Sequence, residues 1–254
     1  NNPNTPYSPG PKSQRLEDIS AVSWNKQVAY ILGTASTNGY SALWDLRQKT
    51  EIIKLSYPGG RRPITSISWD PNVATRLVTT VDDDSNPGVL VWDLRNASAP
   101  EKVLLGHEKG VLSSSWCTQD NDILLSSSKD KTTIAWNPNT GENLGEFYKC
   151  KNWAFKVDFC PRNPDLIGSS SFDGKVTVHS LQGRSNDEYL DNDNIKNPAS
   201  PLMPNGINSD DPFAQIQQQQ RKLSIVENLD KPVFKLKTPP KWFKRPVGAT
   251  FGFG

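Results

Sequence analysis

The sequence predicts an all-β fold, a β-propeller assembled from consecutive four-stranded blades. Three observations carry this reading. Aromatic residues recur at a nearly fixed interval: Trp24, Trp69, Trp116 and Phe159 are 45, 47 and 43 residues apart, and Trp44, Trp92, Trp136 and His179 are 48, 44 and 43 apart. A period of about 40–45 residues suits one propeller blade. Pro (20) and Gly (17) are frequent among the 254 residues, which favours many turns over long helices. Eight Trp against a single Met point to one packing role used repeatedly.

Each unit then reads alike. The first strands, DISAVSW, PITSISW, GVLSSSW and AFKVDF, alternate apolar with small or polar residues, as a half-buried strand does. Second strands follow a turn: AYILGTAS, TRLVTTV, DILLSSS and DLIGSSS. Third strands, YSALWD, GVLVWD, TTIAWN and KVTVHS, end at the second aromatic or its replacement, and fourth strands such as EIIKLSY and EKVLLG vary most.

These units occupy residues 14–182. Residues 1–13, rich in Pro and Asn, read as an extended linker or a long loop between blades, with Thr5-Pro6 and Ser8-Pro9 as weak proline-directed phosphorylation signals. From 183 to 230, Asn, Asp, Ser and Gln dominate and no strand pattern survives, which predicts a disordered low-complexity insertion. Residues 231–254 form a basic segment that contains strand-like VFKL and ends in GATFGFG, expected to close the propeller. Four units and a tail leave strand edges unpaired in an open ring. The chain therefore reads as a fragment of a longer polypeptide.

Composition narrows the chemistry. A net charge of +2 gives no strong field toward nucleic acid or membrane. Cys117, Cys150 and Cys160 include no CxxC pair, and two histidines are too few for a histidine metal cluster. No secretory leader pattern and no apolar run long enough to span a bilayer occur, so the expectation is a reduced, cytoplasmic protein without cofactor. Asp82, Asp83 and Asp84 lack the spacing of a calcium loop and read as a solvated acidic turn.

His107, a serine of Ser126–Ser128 and Asp130 supply the residue types of a hydrolytic triad. The Asp130-to-Trp136 offset of six recurs between Asp173 and His179, with Asn38 and Asn86 at the same offset in the first two units. A reaction needs its residues once, whereas a scaffold needs them in every unit. A buried Asp is costly unless hydrogen-bonded, and an imidazole N–H satisfies it. The serine also lies outside any Gly-x-Ser-x-Gly elbow. His107, Asp130 and Trp136 are thus expected to hold the fold, and His179 to be a packed strand-end residue; no catalytic, metal or cofactor residue is expected.

In-register recurrence of Trp44-Asp45 and Trp92-Asp93, with Gly106-His107, Asp130 and Trp136, resembles the WD-repeat propeller family, in which such residues form a buried hydrogen-bonded tetrad. Longer strings go further. EDISAVSWN, DLRNASAP, GHEKGVLSSSWC, NPNTGE, CPRNPDLIGSSSFDGKV and PPKWFKRPVGATFGFG together resemble the larger outer-shell subunit of the COPII vesicle coat. That resemblance implies the later blades of a seven-bladed ring and a scaffold role in budding from the endoplasmic reticulum toward the Golgi. It implies a smaller WD-repeat outer-coat partner and other copies at cage vertices. Inner-coat subunits and a small GTPase would be engaged through regions outside this chain, with no nucleic acid and no membrane insertion.

Two Trp-Asp-x-Arg boxes, ending at Arg47 and Arg95, support an alternative: these boxes resemble those of WD-repeat substrate receptors of cullin-type ubiquitin ligases. Arg47 and Arg95 then have three readings: adaptor contact, coat contact, or an internal salt bridge to an acidic loop. Lys241, Trp242, Lys244 and Arg245 of the basic tail are likewise candidate contacts to an acidic partner or lipid headgroups, or charge compensation for the acidic loop.

Overall fold

The alternating runs form antiparallel strands, and the turns between them pair each strand with the next. In the computed structural model the described residues are 7–11, 16–57, 59–181, 234, 236 and 238–243. They all fall in one unit, residues 1–181 and 233–254. Residues 182–233 are not among them, so the insertion expected at 183–230 lies outside the described residues.

The first sheet runs β1 (Ile19–Trp24), β2 (Ile31–Ser36), β3 (Tyr40–Asp45), β4 (Thr50–Ser56), in that spatial order. The second is β5 (Ile64–Trp69), β6 (Arg76–Val81), β7 (Gly88–Asp93) and the short β8 (Lys102–Leu104). The third is β9 (Val111–Trp116), β10 (Leu124–Ser128), β11 (Thr132–Asn137) and β12 (Glu142–Lys149). In the fourth, β13 (Ala154–Phe159), β14 (Leu166–Ser171) and β15 (Val176–Ser180) are the three strands among the described residues. The register holds from unit to unit: Trp24 faces Leu32, Trp69 faces Leu77, Trp116 faces Leu124 and Phe159 faces Ile167.

Because the second and third sheets are covered on both faces by their neighbours, their second and third strands need apolar or hydrogen-bonded residues at nearly every position. β6, β7, β10 and β11 are buried almost throughout. The core is accordingly divided into slabs between consecutive sheets. Ala35, Leu43 and Leu55 meet Ile67, Trp69 and Trp92; Val78, Val89 and Val91 meet Val111, Trp116 and Trp136; Leu125, Ala135 and Phe147 meet Val157, Phe159 and Ile167.

First strands lie side by side without a shared backbone ladder, and hydroxyls join them instead. Thr65 Oγ1 donates to the Val111 carbonyl at 2.6 Å, Ser68 Oγ donates to the Ser114 carbonyl at 3.1 Å, and Ser66 and Ser114 hydroxyls lie 3.0 Å apart. Ser20 Oγ reaches the Ile64 carbonyl in the same way. These strands wall a polar cleft of about 750 Å3. The serines and threonines that make the alternation in the sequence are the joints between blades.

Both ends of the array show apolar faces. Val22 and Trp24 are 58% and 52% exposed, while Ile67 and Trp69 in the same register are 5% and 1% exposed. At the other end Val176 and Val178 are exposed, whereas the matching Val89 and Val91 are fully buried. Residues 7–11 rest on the first sheet rather than standing clear of it: Tyr7 Oη donates to the Leu46 carbonyl, and Leu16 is buried with Ala42 and Trp44.

Candidate functional site

The third unit holds an unbroken polar chain. Trp136 Nε1 donates to Ser126 Oγ at 2.7 Å, and Ser126 Oγ lies 2.7 Å from His107 Nε2. His107 Nδ1 lies 2.9 Å from Asp130 Oδ2. A carboxylate only accepts, so Nδ1 carries the proton, and Nε2 of a neutral ring accepts from Ser126. The Thr132 hydroxyl and N–H donate to Asp130 Oδ1 at 2.6 and 2.8 Å, and Glu108 N–H donates to Oδ2 at 2.9 Å. Burial by itself would raise the Asp130 carboxyl. The hydrogen bond from His107, with the bonds from Thr132, outweighs it and holds the group well below the usual carboxylate range. Gly106 completes the arrangement, since a Cβ there would lie 2.8 Å from the Trp136 ring.

Ser126 is fully buried and both its neighbours in the chain are engaged. No substrate reaches an oxygen so placed. Other units keep only part of the set. Trp44 Nε1 donates to Thr34 Oγ1 at 3.0 Å and Trp92 Nε1 to Thr79 Oγ1 at 2.9 Å. In the fourth unit His179 Nε2 lies 3.1 Å from Thr177 Oγ1, which bonds Ser169 at 2.7 Å, and the ring packs on Phe147 and Tyr148. Asp173 takes the turn position of Asp130 but faces solvent, because Cys150 stands where the third unit has His107. Ser171 is its main partner and lowers its pKa. The 43-residue offset from His107 to Cys150 was readable in the sequence and marks where the set would fail.

A second repeated position follows each first strand. Asn25 Oδ1 accepts the N–H groups of Gln27 and Val28, both at 2.9 Å, and Asp70 Oδ1 accepts those of Asn72 and Val73 at 2.7 and 3.0 Å. Cys117 and Cys160 take the same place with sulfur, accepting from Gln119 and Asp120, and from Asn163 and Arg162. Their thiols differ in setting. Burial raises Cys117 and pushes Cys150 up to about 11, whereas the two backbone donors lower Cys160. The thiolate is the nucleophile, so Cys160 is expected to alkylate first by at least about tenfold when iodoacetamide labelling of the native protein is followed by peptide mass spectrometry.

The Asp of each Trp-Asp pair also caps a turn. Asp45 Oδ1 accepts Arg47 N–H at 2.8 Å, Asp93 Oδ1 accepts Arg95 N–H at 3.0 Å, and Asn137 does this for Asn139 at 2.9 Å. Arg47 and Arg95 fold back onto this same Asp rather than reaching an acidic loop. The Arg95 guanidinium pairs with Asp93 at 2.9 Å, and Arg47 lies 3.4 Å over the Tyr30 ring with Asp45 at 3.9 Å. Both side chains remain mostly exposed. The acidic turn is a correction to the solvated reading. Asp82 pairs with Lys129 at 2.6 Å, Asp83 with Arg62 at 3.1 Å, and Asp84 accepts Gly110 N–H at 2.9 Å, so the turn ties the second unit to the third. Among the described residues, no group of three or more His, Cys, Asp or Glu side chains is placed to hold a metal ion.

The basic tail meets the body at Lys241. Its N–H donates to Asp120 Oδ2 at 3.0 Å, and its ammonium lies 3.1 Å from Asp120 and 2.6 Å from Asp122. Trp242, with Phe234 and Leu236, packs on the slab between the third and fourth sheets. Lys244 and Arg245 lie outside the described residues.

The family model described as WD domain, G-beta repeat matches residues 98–137, the stretch containing His107, Asp130 and Trp136. Protein transport protein SEC31 of Mycosarcoma maydis is 42% identical in an alignment taking in 100% of this chain and 18% of that protein. Sec31A of Danio rerio and of Homo sapiens are each 42% identical, again over 100% of this chain and 20% of theirs. The chain therefore spans about a fifth of the length of the curated relatives it matches. A chain from the COPII outer-coat vertex on membranes aligns with TM-score 0.67 at 39% identity, covering 74% of this chain and 50% of that one. A chain from the COPII coat assembled on membranes gives the same score and identity over 74% of this chain and 28% of its own length. These comparisons give the ubiquitin-ligase alternative no support. The chain is a WD-repeat propeller segment that corresponds, over its whole length, to about one fifth of a SEC31-type protein.

Proposed function

We propose that this chain is the propeller portion of a structural scaffold subunit of the COPII outer coat, acting through protein–protein contacts in vesicle budding from the endoplasmic reticulum toward the Golgi. The observation that carries the proposal is the alignment with the outer-coat vertex chain at 39% identity. The role needs no reaction: the buried His107–Asp130–Ser126 set holds a blade, and a rigid body with loops on two faces suits a vertex. Weak contacts suffice, because a lattice multiplies them.

On this reading the partners are a smaller WD-repeat outer-coat subunit and other copies at cage vertices, with Arg47 and Arg95 as exposed contact candidates. Inner-coat subunits and a small GTPase are met by regions outside this chain. The protein works at the cytoplasmic face of exit sites and coated vesicles as a peripheral component; no described helix is long and apolar enough to cross a membrane. The apolar end faces at Val22–Trp24 and Val176–Val178 are covered by further blades of a seven-bladed ring.

Affinity purification of the tagged full-length protein from cell extract, read by mass spectrometry, tests the proposal. Recovery of a small WD-repeat partner, inner-coat subunits and a GTPase is expected. Recovery of a cullin and its adaptor in their place would overturn it.

A further inference from the structure

The turn between β9 and β10 differs from its three counterparts at one position. A backbone bond marks the register: Ile31 N–H donates to the Val28 carbonyl, Arg76 to Val73, Ile123 to Asp120 and Leu166 to Asn163. Only the third unit carries an acid there. The turn itself does not need that charge. Asn163 Oδ1 accepts Asp165 N–H at 3.2 Å just as Asp120 Oδ1 accepts Asp122 N–H at 3.0 Å. Asp120 is nonetheless buried, at 4% exposure, and a buried carboxylate is costly without a partner of opposite charge.

The partner arrives from 121 residues away. Phe243 N–H donates to the Pro240 carbonyl at 2.9 Å, closing a tight turn with Lys241 and Trp242 at its corners. Pro240 is buried. The turn delivers one N–H to Asp120 and one ammonium to Asp120, to Asp122 and, at 2.6 Å, to Asn121 Oδ1. Its other corner sets the Trp242 ring on the apolar slab. Charge, shape and apolar contact thus agree at one notch.

The notch does not end at Asp122. Asn139 Nδ2 donates to Asp122 Oδ1, and Arg76, from β6 of the second unit, donates to Asn139 Oδ1. Arg76 also donates to the Pro138 carbonyl at 2.9 Å and pairs with Glu101 at 3.5 Å, while Lys102 reaches the Asn139 carbonyl and Glu101. Three acids, Asp120, Asp122 and Glu101, balance three bases, Lys241, Arg76 and Lys102. Withdrawing Lys241 leaves one uncompensated negative charge beside a buried carboxylate.

We propose that the β9–β10 turn is a docking notch for a Lys-Trp turn, filled by residues 240–243 of the same chain, and that its occupancy braces the second blade against the third through Asp122, Asn139 and Arg76. This rests on residues of the fold alone and stands or falls apart from the coat assignment. The lysine is an anchor for its own propeller, not a free contact for lipid or a partner.

Hydrogen exchange of the full-length protein, resolved by peptide mass spectrometry, tests both halves. Lys241→Met is expected to speed exchange of the Lys241 and Phe243 amides at least about tenfold, with Lys241→Arg retaining protection and Asp120→Asn losing it. The same Lys241→Met change should speed exchange across Asn137–Thr140, and Arg76→Met added to it should cost less than Arg76→Met alone, the non-additivity of a shared network. A synthetic peptide of residues 236–245 should restore protection of residues 137–140 in the Lys241→Met protein, while the displaced tail amides at 241 and 243 stay fast. Unchanged Lys241 and Phe243 amides in both Lys241→Met and Asp120→Asn would sink the charge-keyed notch. Independent, additive effects of Lys241 and Arg76 would sink the brace.

Discussion

Replacing Asp130 by alanine is expected to lower stability by about 3 kcal/mol, the magnitude for breaking a buried hydrogen-bond network around a carboxylate. The loss goes beyond one bond. Thr132 and Glu108 N–H groups lose their acceptor, and His107, whose side chain is 1% exposed, loses the group that fixes its tautomer. Denaturant unfolding with the midpoint and slope fitted separately checks this, and an unchanged midpoint would refute a structural role for the set. Asp173→Ala, in the same register but exposed, should shift the midpoint little. Acid adds a further check. The folded-state pKa of Asp130 is depressed, so its contribution is complete above the ordinary carboxylate range. That contribution fades as pH falls below about 4. The midpoint of the native protein should therefore fall with acid more steeply than that of the Asp130→Ala variant.

Trp69→Ala should cost about 4 kcal/mol, since a fully buried aromatic leaves both a cavity and an orphaned contact. Trp69 fills the slab between the first two sheets and its Nε1 donates to the Ser23 carbonyl at 3.0 Å. Trp24 holds the same register one unit earlier, yet is 52% exposed. In the full-length protein the proposal of further blades gives Trp24→Ala nearly the same cost as Trp69→Ala. A cost for Trp24→Ala below about 1 kcal/mol, measured by the same unfolding curves, would mean that no blade covers this face.

Much of the fold was legible because it repeats. YSALWD, GVLVWD and TTIAWN coincide with β3, β7 and β11, since an aromatic followed by Asp or Asn marks both the strand end and the capped turn. The fourth strands were less visible. β12 pairs with β11 through two register shifts around Gly145, so its residues do not keep strict alternation. The acidic turn was misread because Lys129 and Arg62, which neutralise it, lie far along the chain and carry no local signature. The Lys241 notch was hidden for the same reason. Asp120 looks like any polar turn residue until the tail is folded against it. Of the three readings open for Arg47 and Arg95, the salt bridge to a distant acidic loop is replaced by a pairing with the Asp two residues earlier, and both side chains stay mostly exposed.

A core cut into slabs between successive units has a consequence for how the chain acquires its structure. Each slab is made by residues roughly one repeat apart, so no contact within the array has to wait for the distant end of the polypeptide. As the chain leaves the ribosome, every new blade finds its predecessor already formed and can settle on it, a vectorial assembly in which cooperativity passes only between nearest neighbours. The Lys241 tail is the exception. It reaches back across the array to the third blade, and so its docking is a late event that reports the array beneath it is already in place.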